Sequence, residues 1–434
     1  MDDRLTSAPG ATRRSHLFVC DEWSATKGGI SVLNRKLAVT VARQGHESMC
    51  LVRSATNAEH EDAARHGVRL FTAERTPAGP DLHLPVAEVL DRSPDIVIGH
   101  DRVSGHIAWL YARKYGHARL VHIVHTAPAE IEPYKGRLDA AQRVEDREAF
   151  TTDIARHTDV IAAVGPRLTR YVTGLLEDGY GDVSVFRLDP CLDLDEDAAG
   201  RRRRIPSRPN VMVLGRTGDI ELKGLDIASG AVAALTPRAG QPPPVLFVRG
   251  APAPACEQVR TTLVAASGLA RGRVDVRPFT ENAAAVRRDL RHAALCVMPS
   301  RAEGFGLVAW EAIAVGTPVL VSSQSGAAEL LRERLGATAE RMVVDVTDTL
   351  SQDVRAWHRA ISLVLDDLPS AFAFAHEVRT ELAGPPWSSV IDSLHARLYG
   401  ARHAEPRRAE GHGAEPSSVS KDSASLASAA PILR

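Results

Sequence analysis

Cysteine is sparse in this 434-residue chain: Cys20, Cys50, Cys191, Cys256 and Cys296 are scattered, and none forms a Cys-x-x-Cys pair. That argues against both a zinc site and a disulfide framework. No apolar run approaches the eighteen or so residues that would span a bilayer. The polar stretch Met1–Ser15 lacks the apolar core of a signal peptide, so the cytoplasm is the expected address. Charge of one sign is also missing, with 53 Lys and Arg against 54 Asp and Glu and a formal net charge of −1. A broad basic face for nucleic acid is therefore not expected, and with 5% aromatic residues there is no evident stacking platform. The chain has no G-x-G-x-x-G fingerprint and no Asp-x-Asp motif expected to bind a metal.

What is present is an alternation of short apolar runs and helical patterns. His16–Cys20, Met49–Val52, Asp95–Ile98, Leu120–Val124 and Asp159–Val164 read as strands. Val32, Leu33, Leu37 and Val41 recur at helical spacing up to the Gln44-Gly45 stop. The pattern breaks between Asp189 and Pro209, where Arg201–Arg204 and two prolines read as a solvated linker. It then restarts, with strands expected at Val211–Leu214, Val245–Val248, Val274–Val276, Leu295–Met298 and Val319–Val321. Strands alternating with helices argue for an α/β fold with parallel, doubly wound sheets. The expected organisation is a disordered lead-in at 1–15, a first Rossmann-like domain at 16–188, a linker at 189–209 and a second such domain at 210–383. A helix follows at 384–400 and a disordered tail at 401–434. Halves of this kind bind ligands at the carboxyl ends of their strands, so two that face each other share one cleft.

Four places carry chemistry. In Pro299–Glu311 (PSRAEGFGLVAWE), a strand gives way to a loop holding Glu303, Gly304, Phe305 and Gly306, and Leu307 opens a helix that carries Glu311. Glycines let backbone approach a ligand, and a helix start offers free N–H groups to phosphate. The eight residues between the glutamates advance about 12 Å along a helix, too far for both to grip one atom. The bland alternative is one Glu on a helix dipole and one exposed helical Glu. Gly215-Arg216 and Lys223-Gly224 place two cations around a turn after a strand, suited to phosphate oxygens or simply to solvent. Lys27-Gly28-Gly29 precedes a helix and is either a phosphate loop or a plain turn. His125, just past Leu120–Val124, is either structural or at a reaction centre; His122 competes for that role, but its strand position favours burial. Asp101 is a further acceptor-side candidate, and Arg147 and Glu148 read as structural.

The run from Pro299 resembles the E-x₇-E motif of glycosyltransferase family 4. Ala312–Val319 (AIAVGTPV) is similar to that family's continuation, and Ser325–Glu329 (SGAAE) to its Gly-Gly-x-x-Glu segment, with Ser325 departing from the first glycine. Gly215-Arg216 with Lys223-Gly224, the Gly28-Gly29 loop, and the apolar helix face of Trp387, Val390, Ile391, Leu394 and Leu398 also resemble it. The likeness covers roughly residues 16–400, sharply in the second half and loosely in the first. It implies a GT-B fold, two facing Rossmann-like domains with a crossover helix at the C-terminal end. It implies a retaining transferase that moves a sugar from a nucleotide-diphosphate sugar to a hydroxyl or amine acceptor. In that reading Glu311 holds the ribose and Glu303 the sugar, while Gly304–Leu307 present N–H groups to sugar and phosphate. Arg216 and Lys223 stabilise the leaving diphosphate, Gly28 and Gly29 close over it with Lys27 nearby, and His125 lies beside the reacting carbon. No metal or separate cofactor is implied, and no basic amphipathic face suggests a lipid, so a soluble acceptor is expected. The sequence leaves the oligomeric state open. The alternatives are a pseudo-glycosyltransferase or sugar phosphorylase on the same fold, or a non-catalytic sugar-nucleotide binding protein.

Overall fold

The structure is a computed structural model in which residues 12–24, 28–180, 184–194, 205–236 and 242–400 are described. Most of the expected lead-in, Lys27, Arg201–Arg204 and the tail 401–434 lie outside the described residues.

Two parallel sheets organise the chain. The first contains β1 (Ser15–Val19), β2 (Glu47–Val52), β3 (Val68–Thr72), β6 (Ile96–His100), β7 (Arg119–Val124), β8 (Val160–Val164) and β9 (Phe186–Leu188). Its order is β3-β2-β1-β6-β7-β8-β9, and β4 (Glu74–Thr76) with β5 (Gly79–Asp81) forms a separate hairpin. Its helices are α1 (Gly29–Arg43), α2 (Asn57–Arg65), α3 (Ala87–Leu90), α4 (Asp101–Tyr115), α5 (Pro128–Ile131), α6 (Ala140–Ala155) and α7 (Gly165–Tyr180). The second sheet is built from β10 (Asn210–Leu214), β11 (Val245–Ala251), β12 (Val274–Pro278), β13 (Leu295–Met298), β14 (Val319–Ser322) and β15 (Val343–Val344). Its order is β12-β11-β10-β13-β14-β15. It is flanked by α8 (Leu225–Ala233), α9 (Cys256–Ser267), α10 (Ala283–His292), α11 (Leu307–Ala314), α12 (Gly326–Leu335), α13 (Leu350–Asp366) and α14 (Leu368–Glu381).

The strands are parallel, buried on both faces and nearly continuous in Val, Ile, Leu and Ala, as sheets covered by crossover helices require. In each sheet the strand order reverses beside the first strand, at β1/β6 and at β10/β13, the switch point at which sheets of this kind bind ligands. α15 (Trp387–Tyr399) runs back onto the first unit and packs on α1. Ile391, Leu394 and Leu398 are buried, and Gln44 donates to the Ser388 carbonyl at 3.3 Å and to Asp392 at 2.8 Å.

The expected strands appear within three residues of their sequence boundaries, the largest difference being β11, which runs on to Ala251. β3, β9, β15 and the hairpin are additional. Their shortness explains this: two or three residues at a sheet edge set no hydrophobic period, and Arg69 interrupts β3.

Candidate active site

In the second unit two loops leave neighbouring strand ends, Gly215–Gly224 after β10 and Pro299–Gly306 after β13. Arg301 laces them together. Its guanidinium donates to both carboxylate oxygens of Asp226, at 3.0 and 2.8 Å, and to the Glu221 carbonyl at 2.5 Å. Its backbone N–H donates to the Leu222 carbonyl at 2.9 Å. A bidentate Arg–carboxylate pair fixes direction as well as distance. The lacing brings Lys223 Nζ to 2.6 Å from Glu303 Oε2, with Ser300 Oγ 3.4 Å from the same oxygen. Arg216, at the start of the same turn, is exposed and has no hydrogen bond or ion pair among the described residues.

The loop after Glu303 is shaped by two demands. Gly306 caps α11 at φ 99°, a left-handed conformation that favours glycine. Gly304 lies against the first unit, where a Cβ would come within 2.5 Å of the His125 carbonyl oxygen. Between them Phe305 is buried. Its ring lies over Gly165 at the start of α7 and edge-on to Trp310 at 4.9 Å, so this side chain anchors the interface while its backbone stays at the cleft. The N–H groups of Gly304, Phe305, Gly306 and Leu307 have no partner among the described residues, leaving donors at a helix start. Ser325 replaces glycine with a function of its own: it caps α12, accepting from the Ala328 N–H at 3.2 Å and donating to the Ser322 carbonyl at 2.7 Å.

Glu311 sits apart from this group. Burial and then the charge of Asp193 push its carboxyl up to about 7, against a smaller opposing pull from Arg287. Its side chain has no hydrogen-bond partner among the described residues. The two glutamates thus address different surroundings, Glu303 a lysine and Glu311 a partly desolvated niche.

From the first unit, the Gly28-Gly29 turn faces both loops. A Cβ on Gly28 would lie 3.6 Å from Arg216 Nε, and one on Gly29 would lie 3.3 Å from Leu307 Cδ1. His125, at the end of β7, presents its carbonyl to Gly304, and its Nε2 lies 2.9 Å from His100 Nδ1. Burial, with His122 adding to it, holds the His125 imidazole down at about 3, so it is neutral at pH 7. His122 is buried, packed on Gly105 and Phe150, and held down at about 4 by burial. Asp101 is buried at the start of α4. At φ 38° in the left-handed region, its carboxylate accepts from the His125 N–H at 3.1 Å and from Thr126 Oγ1 at 3.2 Å. Burial pushes its carboxyl up to about 6. Arg147 completes this support, donating to Thr126 Oγ1 at 2.9 Å and to Glu132 at 2.5 Å, and Glu148 pairs with the Tyr171 hydroxyl.

Seven of these groups face one another across the two units: Gly28, Gly29 and His125 on one wall, Arg216, Lys223, Glu303 and Gly304 on the other. A model of family 4 glycosyltransferases in conflict systems matches residues 17–394. The chain belongs to glycosyltransferase family 4. A D-inositol 3-phosphate glycosyltransferase of Actinosynnema mirum is 31% identical over 333 residues, 71% of this chain and 73% of that protein. Its counterpart in Corynebacterium urealyticum is 27% identical over 342 residues, 74% and 75% of the two chains. Among solved structures, HepE of Anabaena in complex with UDP and glucose superposes with a TM-score of 0.65 at 15% identity, covering 89% of this chain and 99% of that one. Sucrose-phosphate synthase of Thermosynechococcus elongatus gives 0.64 at 20% identity with the same coverage. These likenesses establish the two-domain GT-B architecture.

Two supports of this family 4 glycosyltransferase site escape sequence reasoning. Arg301 stands inside the Pro299–Glu311 run, yet its partner Asp226 is 75 residues away. Asp101 is an acceptor-side candidate by sequence, and in the structure its carboxylate holds the His125 loop. No helix of the described residues is long and apolar enough to cross a membrane.

Proposed function

We propose that this glycosyltransferase takes the sugar of a nucleotide-diphosphate sugar, with retention at the anomeric carbon, and delivers it to a hydroxyl or amine of a soluble acceptor in the cytoplasm. The second unit (210–383) holds the donor, and the first (16–188) the acceptor. The observation that carries this reading is the pair of cations at the β10 end. Arg216 has no partner among the described residues and lies beside the Gly28 turn, and Lys223 is held by Glu303 at 2.6 Å. Negative charge grows on the diphosphate as the C1–O bond to it breaks, and preset cations stabilise that charge. With them in place the reading needs neither metal nor cofactor. Lys223 passes from Glu303 to the diphosphate when donor enters, and Glu303 is released to a sugar hydroxyl. The unpaired N–H groups of Gly304–Leu307 face sugar and phosphate, and Glu311 takes the ribose hydroxyls.

The acceptor oxygen or nitrogen attacks C1 on the face the diphosphate leaves. The new bond to C1 forms as the C1–O bond breaks, and the departing phosphate oxygen takes the acceptor's proton. No paired general acid and base is then required, in contrast to a glycosidase. UDP and glucose in HepE support the donor class by structural likeness. A thermal-shift screen against UDP-, GDP-, ADP- and dTDP-glucose tests it. A donor at 100 times its Kd stabilises by about 2.7 kcal/mol. A shift with one of them at pH 8, reduced in Glu311→Gln, supports the reading, and no shift with any of the four, or equal shifts in both proteins, defeats it. Phosphate-dependent release of a sugar phosphate would instead mark a phosphorylase.

A further inference from the structure

Asn34 is an anomaly in α1. It is fully buried on the helix face it shares with Leu33, Leu37, Ala38 and Val41, where an apolar side chain is the ordinary choice. A buried amide is costly unless it is hydrogen-bonded. Its Nδ2 lies 3.4 Å from Cys50 Sγ, and its Oδ1 lies 2.8 Å from Nε2 of His100, itself fully buried at the end of β6. The other nitrogen of His100 meets His125 Nε2 at 2.9 Å. A neutral imidazole carries one donor and one acceptor. With Oδ1 accepting from His100 Nε2–H, His100 Nδ1 is a lone pair, and the proton between the two rings belongs to His125 Nε2.

We infer that Asn34 and His100 are positioning residues that lock His125 in its Nε2–H form, so that His125 Nδ1 meets the substrate as a hydrogen-bond acceptor. The role in turnover rests on the reading that His125 lies beside the reacting sugar. Nδ1 has no partner among the described residues and is not among the fully buried unpartnered atoms, so it faces accessible space. The ring's base is fixed independently, because the His125 N–H is held by Asp101 and its carbonyl abuts Gly304. The ligand chemistry follows: a neutral acceptor receives a hydroxyl of the sugar or of the acceptor molecule. It offers neither a proton nor positive charge to the diphosphate, which leaves that task to Arg216 and Lys223.

The test is a long-range ¹H–¹⁵N correlation spectrum of the full chain labelled with ¹⁵N-histidine, for wild type, Asn34→Leu and His100→Phe. Asn34→Leu removes the amide at nearly constant volume and suits the apolar face; Asn34→Ala replaces it should it not fold. In the wild type His125 is expected as the neutral Nε2–H tautomer, and both variants should shift it to a mixture. Turnover is followed as nucleoside diphosphate release from whichever of UDP-, GDP-, ADP- or dTDP-glucose is hydrolysed. In Asn34→Leu kcat should fall about tenfold with donor KM within about twofold, a part of the 10²–10⁴ that a positioned acid–base group supplies. An Nδ1–H tautomer in the wild type, or an unchanged His125 tautomer in Asn34→Leu, overturns the relay. A correct tautomer with His125→Ala turning over like wild type overturns instead the placement of His125 at the reaction centre.

Discussion

Replacing Glu311 by Gln should make the ligand-free enzyme more stable while weakening its hold on the donor. The carboxyl titrates near 7 in the folded chain against 4.5 ordinarily, raised first by burial and then by Asp193. A folded-state pKa above the unfolded value means that folding favours the protonated form. The native state is therefore unburdened below about pH 4.5 and loses stability as pH rises through about 7. At about 1.4 kcal/mol for each pKa unit, ionised Glu311 costs up to about 3 kcal/mol at pH 8, less where solvent reaches it. Glutamine carries no such cost. Differential scanning calorimetry should show Glu311→Gln melting several degrees above wild type at pH 8 and level with it at pH 5. The donor dissociation constant, by titration calorimetry at pH 8, should rise at least tenfold, since the ionised carboxylate is the better acceptor for a ribose diol. If the variant is no more stable at pH 8 than at pH 5 relative to wild type, Glu311 is not a desolvated carboxylate held for a ligand, and its proposed role fails with it.

Removing the cations should act on the rate. Arg216→Ala and Lys223→Ala are each expected to lower kcat by about 10²–10³ with smaller changes in KM, measured by steady-state kinetics; KM defects alone would refute the leaving-group assignment. Gly304→Ala pushes a methyl group against the His125 carbonyl, and overpacking of that kind costs about 1–3 kcal/mol. Urea unfolding should register that cost, and turnover should fall because the two walls are forced apart. His125→Ala should leave donor affinity within a few-fold, by titration calorimetry, while slowing turnover by about 10² or more.

Much of the architecture is legible in the chain because buried parallel strands are apolar throughout and helices with one apolar face are periodic. Ile96–His100 and Leu295–Met298 announce themselves in that way. The loop Pro299–Glu311 is legible for a different reason: its glycines, glutamates and helix start lie within one short run. Contacts between distant segments leave no such trace. By sequence Lys223 and Glu303 serve separate parts of the donor, yet they pair across 80 residues. The Phe305 ring gives no sign in sequence that it leaves the cleft for Gly165 and Trp310. Asn34 reads as a stray polar residue on an apolar helix face until β6 and β7 bring His100 and His125 to it. Ser325 looked like a departure from a glycine and proved to be a helix cap.

The central claim is that the cleft between the two units performs retaining transfer from a nucleotide sugar. It is tested most directly by ¹H NMR of wild-type enzyme with the α-linked nucleotide sugar that the thermal-shift screen selects. Signals of the nucleoside diphosphate and of the first sugar product are followed together, with the Arg216→Ala and Lys223→Ala variants as controls. The account predicts nucleoside diphosphate release in step with an α-configured product, slowed about 10²-fold or more in each variant. A β-configured first product would contradict retention, and a bound nucleotide sugar that stays intact would contradict catalysis itself.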